Sequence, residues 1–199
     1  MDDYSWWPTW RPGWAEAHCV TLVGDLGVDD LIEALQARRV TMAAGFDALY
    51  AHVVANWPAG YDPSVATVGV AAIDERWTLV AEVNGFLGVT EDLVGPLSCE
   101  RTVVSHFANV NAVHTFHWWR DGRLLVDVDL MFPSERSGSD PDALVDHARA
   151  VGIPLDAEEI LTTVDLSAAG FALAESVTGV ALTPEWLTGT SFHVVTVTT

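Results

Sequence analysis

The sequence predicts an α+β domain with a mostly antiparallel central sheet of about five to seven strands and helices packed on it. Three observations carry that expectation. Strand-like segments crowd the middle of the chain, with helix-period segments on either side. Short turn signals, above all Asp121-Gly122, join successive strands and make neighbours antiparallel. Half of the 199 residues are hydrophobic, enough for a packed core.

The elements follow in order. Residues 1–14 form an arm holding Trp6, Trp7, Trp10 and Trp14, interrupted by Pro8 and Pro12, and neither a helical nor a strand period fits them. Its indoles are expected to pack back onto the domain, residues 15–199. The alternative is an aromatic docking surface in which Trp6, Trp7 and Trp10, with Asp2 and Asp3, face a partner. A strand over 17–23, a turn at Gly24 and Gly27 and a helix over 28–37 come next, with Asp29 and Asp30 in the first helical turn. That G-x-x-G is no phosphate loop: no Lys-Ser/Thr follows, and two acids stand where phosphate needs positive charge.

A helix period runs over 45–57, closed by Pro58, Gly60 and Pro63. Residues 64–74 and 76–85 read as two antiparallel strands around Asp74-Glu75, and Asn84-Gly85 is a turn signal. A short helix over about 90–97 precedes three strands between Cys99 and Phe132. Residues 138–152 form a helix with Ser139 or Asp140 as cap, Pro141 first and Gly152 as stop. Residues 153–166 read as a linker or short extra helix. A helix over 167–179, a turn of helix from Thr183-Pro184-Glu185 and a terminal strand complete the chain.

The chain has 28 acidic and 9 basic residues, a net charge of −19. Such a surface repels nucleic acid and anionic lipid and attracts a basic partner. A general solubility effect is the plainer reading of the same charge. The acids are scattered among apolar runs, unlike the spacing of phosphates in a nucleic-acid mimic. No run of about 18 apolar residues predicts a membrane span. The N-terminus lacks the basic start and apolar stretch of a secretory signal, so a cytoplasmic location is expected. Cys19 and Cys99 have no CxxC spacing and are expected to be reduced, partly buried thiols.

The candidate site lies in the Asp121-Gly122 hairpin. With a two-residue loop, every cross-strand pair sums to 243. Trp119, His117, Thr115 and Val113 then share a core face with Leu124, Val126, Val128 and Leu130. The other face pairs Trp118 with Leu125, Phe116 with Asp127, and His114 with Asp129. His114, Asp127 and Asp129, walled by Trp118 and Phe116, could act as a general base with its orienting acid, or hold a divalent metal. An ordinary solvent-facing His–Asp pair is the simpler reading, and a one-residue slip would destroy the grouping. His18, His52, His147 and His193 show no ligand spacing, and His106 follows Ser105 as a bare dipeptide. No H-E-x-x-H or G-x-S-x-G occurs, so no catalytic residue, metal site or cofactor is assigned.

The segments "CVTLVGDLGVDDLIEAL", "WTLVAEVNGFLG", "LSCERTVVSHFANVNAVHTFHWWRDGRLL", "FPSERSGSDPDAL" and "ALAESVTGVALTPEWL" occur in that order. Together, over residues 15–197, they resemble an actinobacterial family of domains of unknown function. The resemblance implies a cytosolic single-domain protein and no particular activity. The tryptophan arm and residues 38–63 match the family pattern least.

Two functions are expected from these readings. The first is a non-catalytic domain, monomeric or homodimeric, that occludes a protein with a basic surface, as an immunity or antitoxin-like protein does. The second is a small-ligand binder or metal-dependent enzyme using the His114, Asp127 and Asp129 face.

Overall fold

The computed structural model describes residues 4–57, 64–160 and 165–198. Its strands are β1 (His18–Gly24), β2 (Arg38–Ala44), β3 (Val65–Ala72), β4 (Trp77–Val83), β5 (Thr102–Ala108), β6 (His114–Arg120), β7 (Arg123–Asp129) and β8 (Ser191–Thr198). They form one antiparallel sheet of eight strands in the order β2-β8-β3-β4-β1-β5-β6-β7. The expected architecture is therefore present, with eight strands in place of five to seven.

The additional strand is β2. Six of its seven residues are exposed, so it carries no alternating apolar signal. It lies at one edge of the sheet, with Arg38, Arg39 and a bulge between Arg39 and Thr41. Charges and a bulge on an edge strand hinder pairing with another chain. At the other edge, residues 137–140 strap β7: Ser137 bridges Asp127, and the amides of Ser139 and Asp140 donate to the Leu124 and Leu125 carbonyls at 2.9 Å each.

Helices cover both faces of the sheet. One face packs against α1 (Trp7–Trp10), α2 (Pro12–Ala15), α4 (Phe46–Ala55), α6 (Val145–Val151), α7 (Leu166–Thr178) and α8 (Pro184–Gly189). The other packs against α3 (Val28–Ala34), α5 (Glu91–Leu97) and a 3-10 turn at Leu87–Val89. Every residue of β1 and β4 is buried. Both faces of β4 are thus buried, and Thr78 and Glu82 point into protein rather than water.

Local chemistry explains most element ends. Asp165 caps α7 by accepting from the Ala168 amide at 2.9 Å, and Thr183 caps α8 through the Trp186 amide. Gly152 and Gly179 close α6 and α7 in the left-handed region. The expected helix over 138–152 begins as a 3-10 turn at Pro141–Leu144, and Asp140 makes no side-chain cap. Asn84-Gly85 joins no pair of adjacent strands but leads from β4 into the 3-10 turn. Pro58, Gly60, Pro63 and part of the 153–166 segment lie outside the described residues.

The arm is two short helical turns packed on the sheet. Trp7 and Trp14 are fully enclosed, with ring centroids 4.5 Å apart, while Trp6 and Trp10 are half-buried. Burial removes Trp7 from any partner-facing surface. Asp2 and Asp3 lie outside the described residues.

The Asp121-Gly122 loop forms as expected, with φ of 51° and 73°. Beyond it the register departs from the expectation. Arg120–Arg123 and Trp119–Leu124 pair as predicted, then Leu125 bulges and the next pairs are Trp118–Val126, His117–Asp127, Phe116–Val128 and Thr115–Asp129. The shift turns Val126 and Val128 onto the buried face of Phe116 and Trp118. Without it, Asp127 and Asp129 would enter that face. Burying an unpaired carboxylate costs several kcal/mol, against about 1 kcal/mol for a ladder bond lost at a bulge. The bulge also offers the Leu125 carbonyl to the strap.

Candidate functional site

The bulge dismantles the grouping expected from the hairpin. Asp127 and Asp129 lie on the α3–α5 face with His117 and Thr115 as partners, while His114, Phe116 and Trp118 lie on the opposite face. The carboxylate partner of a hairpin histidine is therefore Asp127 on His117: Nε2 to Oδ1 is 3.2 Å. That hydrogen bond holds the Asp127 carboxyl below its ordinary pKa. Asp129 Oδ1 accepts from the Met131 amide at 2.9 Å and ends the strand.

His114 joins a different set. His18 and His114 both pair with Ala108, from the two strands flanking β5. His106 lies two residues from Ala108 on the same face, so three histidines from β1, β5 and β6 form a row. His18 Nε2 is 3.5 Å from His106 Nδ1, and the His106 and His114 rings stack with centroids 6.1 Å apart. Trp7 and Phe171 pack on His18, and Phe171 also packs on His106. A Cβ at position 170 would stand 2.5 Å from the His106 ring, so only glycine lets α7 approach so closely.

Hydrogen bonding orders the row. His18 Nδ1 donates to the Trp14 carbonyl at 3.1 Å. Neutral His18 then has a lone pair on Nε2, which accepts from His106 Nδ1–H. His106 Nε2 is left as a buried lone pair without a partner. Burial drives the His18 pKa down to about 3. Burial, with His18 and His114 beside it, drives His106 well below the ordinary imidazole value. Burial also lowers His114, against the pull of Asp129 and Asp165.

At its His114 end the row meets a surface groove of about 610 Å³. Glu16, Asn109, Val110, Met131, Asp165 and Leu166 line it beside His114. Asn109 Oδ1 already accepts from the Asn111 and Val113 amides. His114 Nδ1 is buried and unpartnered.

The opposite face holds a second polar strip: Cys19, Thr21, Glu82, Ser105 and His117, all buried. Thr21 and Ser105 hydroxyls are 3.1 Å apart. Glu82 accepts from the Leu87 and Gly88 amides at 3.1 and 3.3 Å. Burial raises Glu82 to about 7, although both amides favour its charged form, and pushes the Cys19 thiol well above its usual value. A Cβ at Gly88 would overlap Thr21 Oγ1. The turn thus closes directly over the hydroxyls and thiol, and Glu82 pins it there. Cys19, Thr21 and Ser105 are all enclosed, so the nucleophilic atoms of this strip are shut off from solvent. Cys99 is a free exposed thiol on the α5–β5 connection.

Among the described residues no cluster of three or more His, Cys, Asp or Glu side chains has the geometry to hold a metal ion. No described helix is long and apolar enough to cross a membrane. The sequence signal for the histidine row was the shared parity of His18 and His106 with core residues Val20 and Val104. Their adjacency, 88 positions apart, depends on the β1–β5 pairing.

Compared with known proteins, the whole chain, residues 1–199, matches the family described as "Family of unknown function (DUF6461)". The chain belongs to this family. The match extends over the tryptophan arm, residues 1–14. No curated protein and no solved structure matches the DUF6461 chain.

Proposed function

We propose that this DUF6461 chain is a non-catalytic binding domain that occludes a protein with a basic surface, as an immunity or antitoxin-like protein does. The distribution of its charge carries the reading. The nine basic residues are all arginines, set against 28 acids. Arg11, Arg39, Arg76, Arg136 and Arg149 are each paired with an aspartate of the same chain. Five of the nine positive charges are thus matched within the chain, and the outward field keeps the negative sign of the net −19. Enclosure of Cys19, Thr21 and Ser105 supports a non-catalytic role for that face.

The test is affinity capture from lysate of the native host at low and high salt, followed by purification of the captured protein. A basic partner whose own activity falls when the domain binds, and whose binding weakens as salt rises, is the expected result. Retention of only neutral or acidic proteins, or binding indifferent to salt, would exclude the reading.

A further inference from the structure

We infer that the turn over 85–89 is a pH-sensitive lid: neutral Glu82 keeps it shut over Cys19, Thr21 and Ser105, and ionised Glu82 lets it open. Three observations tie the lid to this carboxyl. The amides of Leu87 and Gly88 donate to Glu82 Oε2 and Oε1. The next amides, of Val89 and Thr90, bond within the turn to the Phe86 and Leu87 carbonyls. Glycines bring the turn's backbone against what it covers. A Cβ at Gly85 would overlap Glu82 Oε2, and one at Gly88 would crowd Thr21 Oγ1, Cys19 Sγ and Ser105 Oγ together.

Shut, the lid strips the carboxyl of water, and Glu82 is 1% exposed. β1 faces it with Cys19 and β3 with Val68, both opposite in register, and the turn faces it with the Leu87 and Gly88 amides. Cys19, whose thiol bonds to the carboxyl, is the one titratable group among these neighbours, and its proton is held by burial. No cation stands among them to balance a carboxylate. Burial therefore keeps the shut carboxyl protonated up to about pH 7, against the two amides that favour its anion. Opened to water, the same group ionises near its ordinary 4.5. The shut form's advantage is whole below that value. It declines as pH rises to about 7, by up to about tenfold per unit. Leu87 has to leave the α3–α5 core on opening, so the open form stays a minority. Its trace is access to the thiol beneath rather than a change of fold.

The experiment labels Cys19 with N-ethylmaleimide and counts adducts by intact mass. Exposed Cys99 is first removed by Cys99→Ser in every protein compared. Thiolate formation alone speeds labelling about tenfold per pH unit. With Glu82→Gln, which stays neutral, labelling is expected to follow that slope, about thirtyfold from pH 5 to pH 6.5. With Glu82 in place, the same step is expected to give about tenfold more acceleration than in the variant. Unfolding of the whole chain works against this excess, since the buried histidines weaken the fold as pH falls.

A second measurement needs no variant. Hydrogen exchange of the Leu87 and Gly88 amides in the wild type is expected to climb more steeply with pH than the about tenfold per unit of base catalysis, and more steeply than that of the β1 amides. Equal labelling slopes with and without Glu82, or exchange at Leu87 and Gly88 no steeper than base catalysis, would overturn the lid.

Discussion

His18, His106 and His114 show how a side chain's environment sets its chemistry. All three are held neutral by burial. Their folded pKa values lie below the ordinary 6.5, so the unfolded chain takes up protons that the fold refuses. Their contribution is whole above pH 6.5 and is lost as pH falls, by up to about 1.4 kcal/mol per unit for each histidine. Glu82 runs the other way. Its folded value of about 7 exceeds the ordinary 4.5, so it favours the fold below 4.5 and that advantage declines as pH rises to about 7. Three histidines outweigh one carboxyl. Urea denaturation is therefore expected to show stability falling from pH 7 to pH 5.5, a window above the range where exposed acids protonate and relieve the net charge. A stability that held level or rose across that window would contradict the neutral row.

The β6–β7 hairpin carries the lesson at the level of elements. Its turn was legible because Asp-Gly satisfies two positive φ positions locally. Its register was not. The bulge at Leu125 depends on the strap at 137–140 and on helices that must bury Val126 and Val128, both remote from the turn. Gly138 makes the strap possible: its φ is 117°, and a Cβ there would overlap the Leu125 carbonyl. Gly138→Ala is expected to lower stability by about 2 kcal/mol or more, since backbone conformation and space both oppose it. A denaturation midpoint unchanged by this substitution would mean the strap does not hold the bulge. Edge strand β2 was missed for a different reason. With nearly every residue exposed, it is specified by pairing to β8 and not by its own pattern.

Across the whole molecule, charge is the dominant physical fact. At −19, the compact state confines repulsion that the unfolded chain can relax. Adding salt shortens the screening length from about 30 Å at 0.01 M to about 8 Å at 0.15 M. The thermal midpoint at pH 7.5 is accordingly expected to rise when sodium chloride goes from 10 to 150 mM, as scanning calorimetry would record. A fall over that range would show that internal pairs such as Arg136–Asp142 outweigh the repulsion. The same screening that steadies the fold weakens attraction to a basic partner, so stability and binding should respond to salt in opposite directions.

Sequence alone determined the fold class, most element positions, the Asp121-Gly122 turn, the acidic character and the family. Each depends on local periodicity, turn chemistry or composition, which are properties of contiguous residues. Tertiary structure alone decided the hairpin register, the burial of Trp7 and the convergence of His18, His106 and His114 beside an acidic groove. Strand pairing brings together residues far apart in the chain, and a one-residue shift exchanges the faces of a strand. No local pattern encodes either choice, because the energy that makes it belongs to the helices and straps packed on the finished sheet.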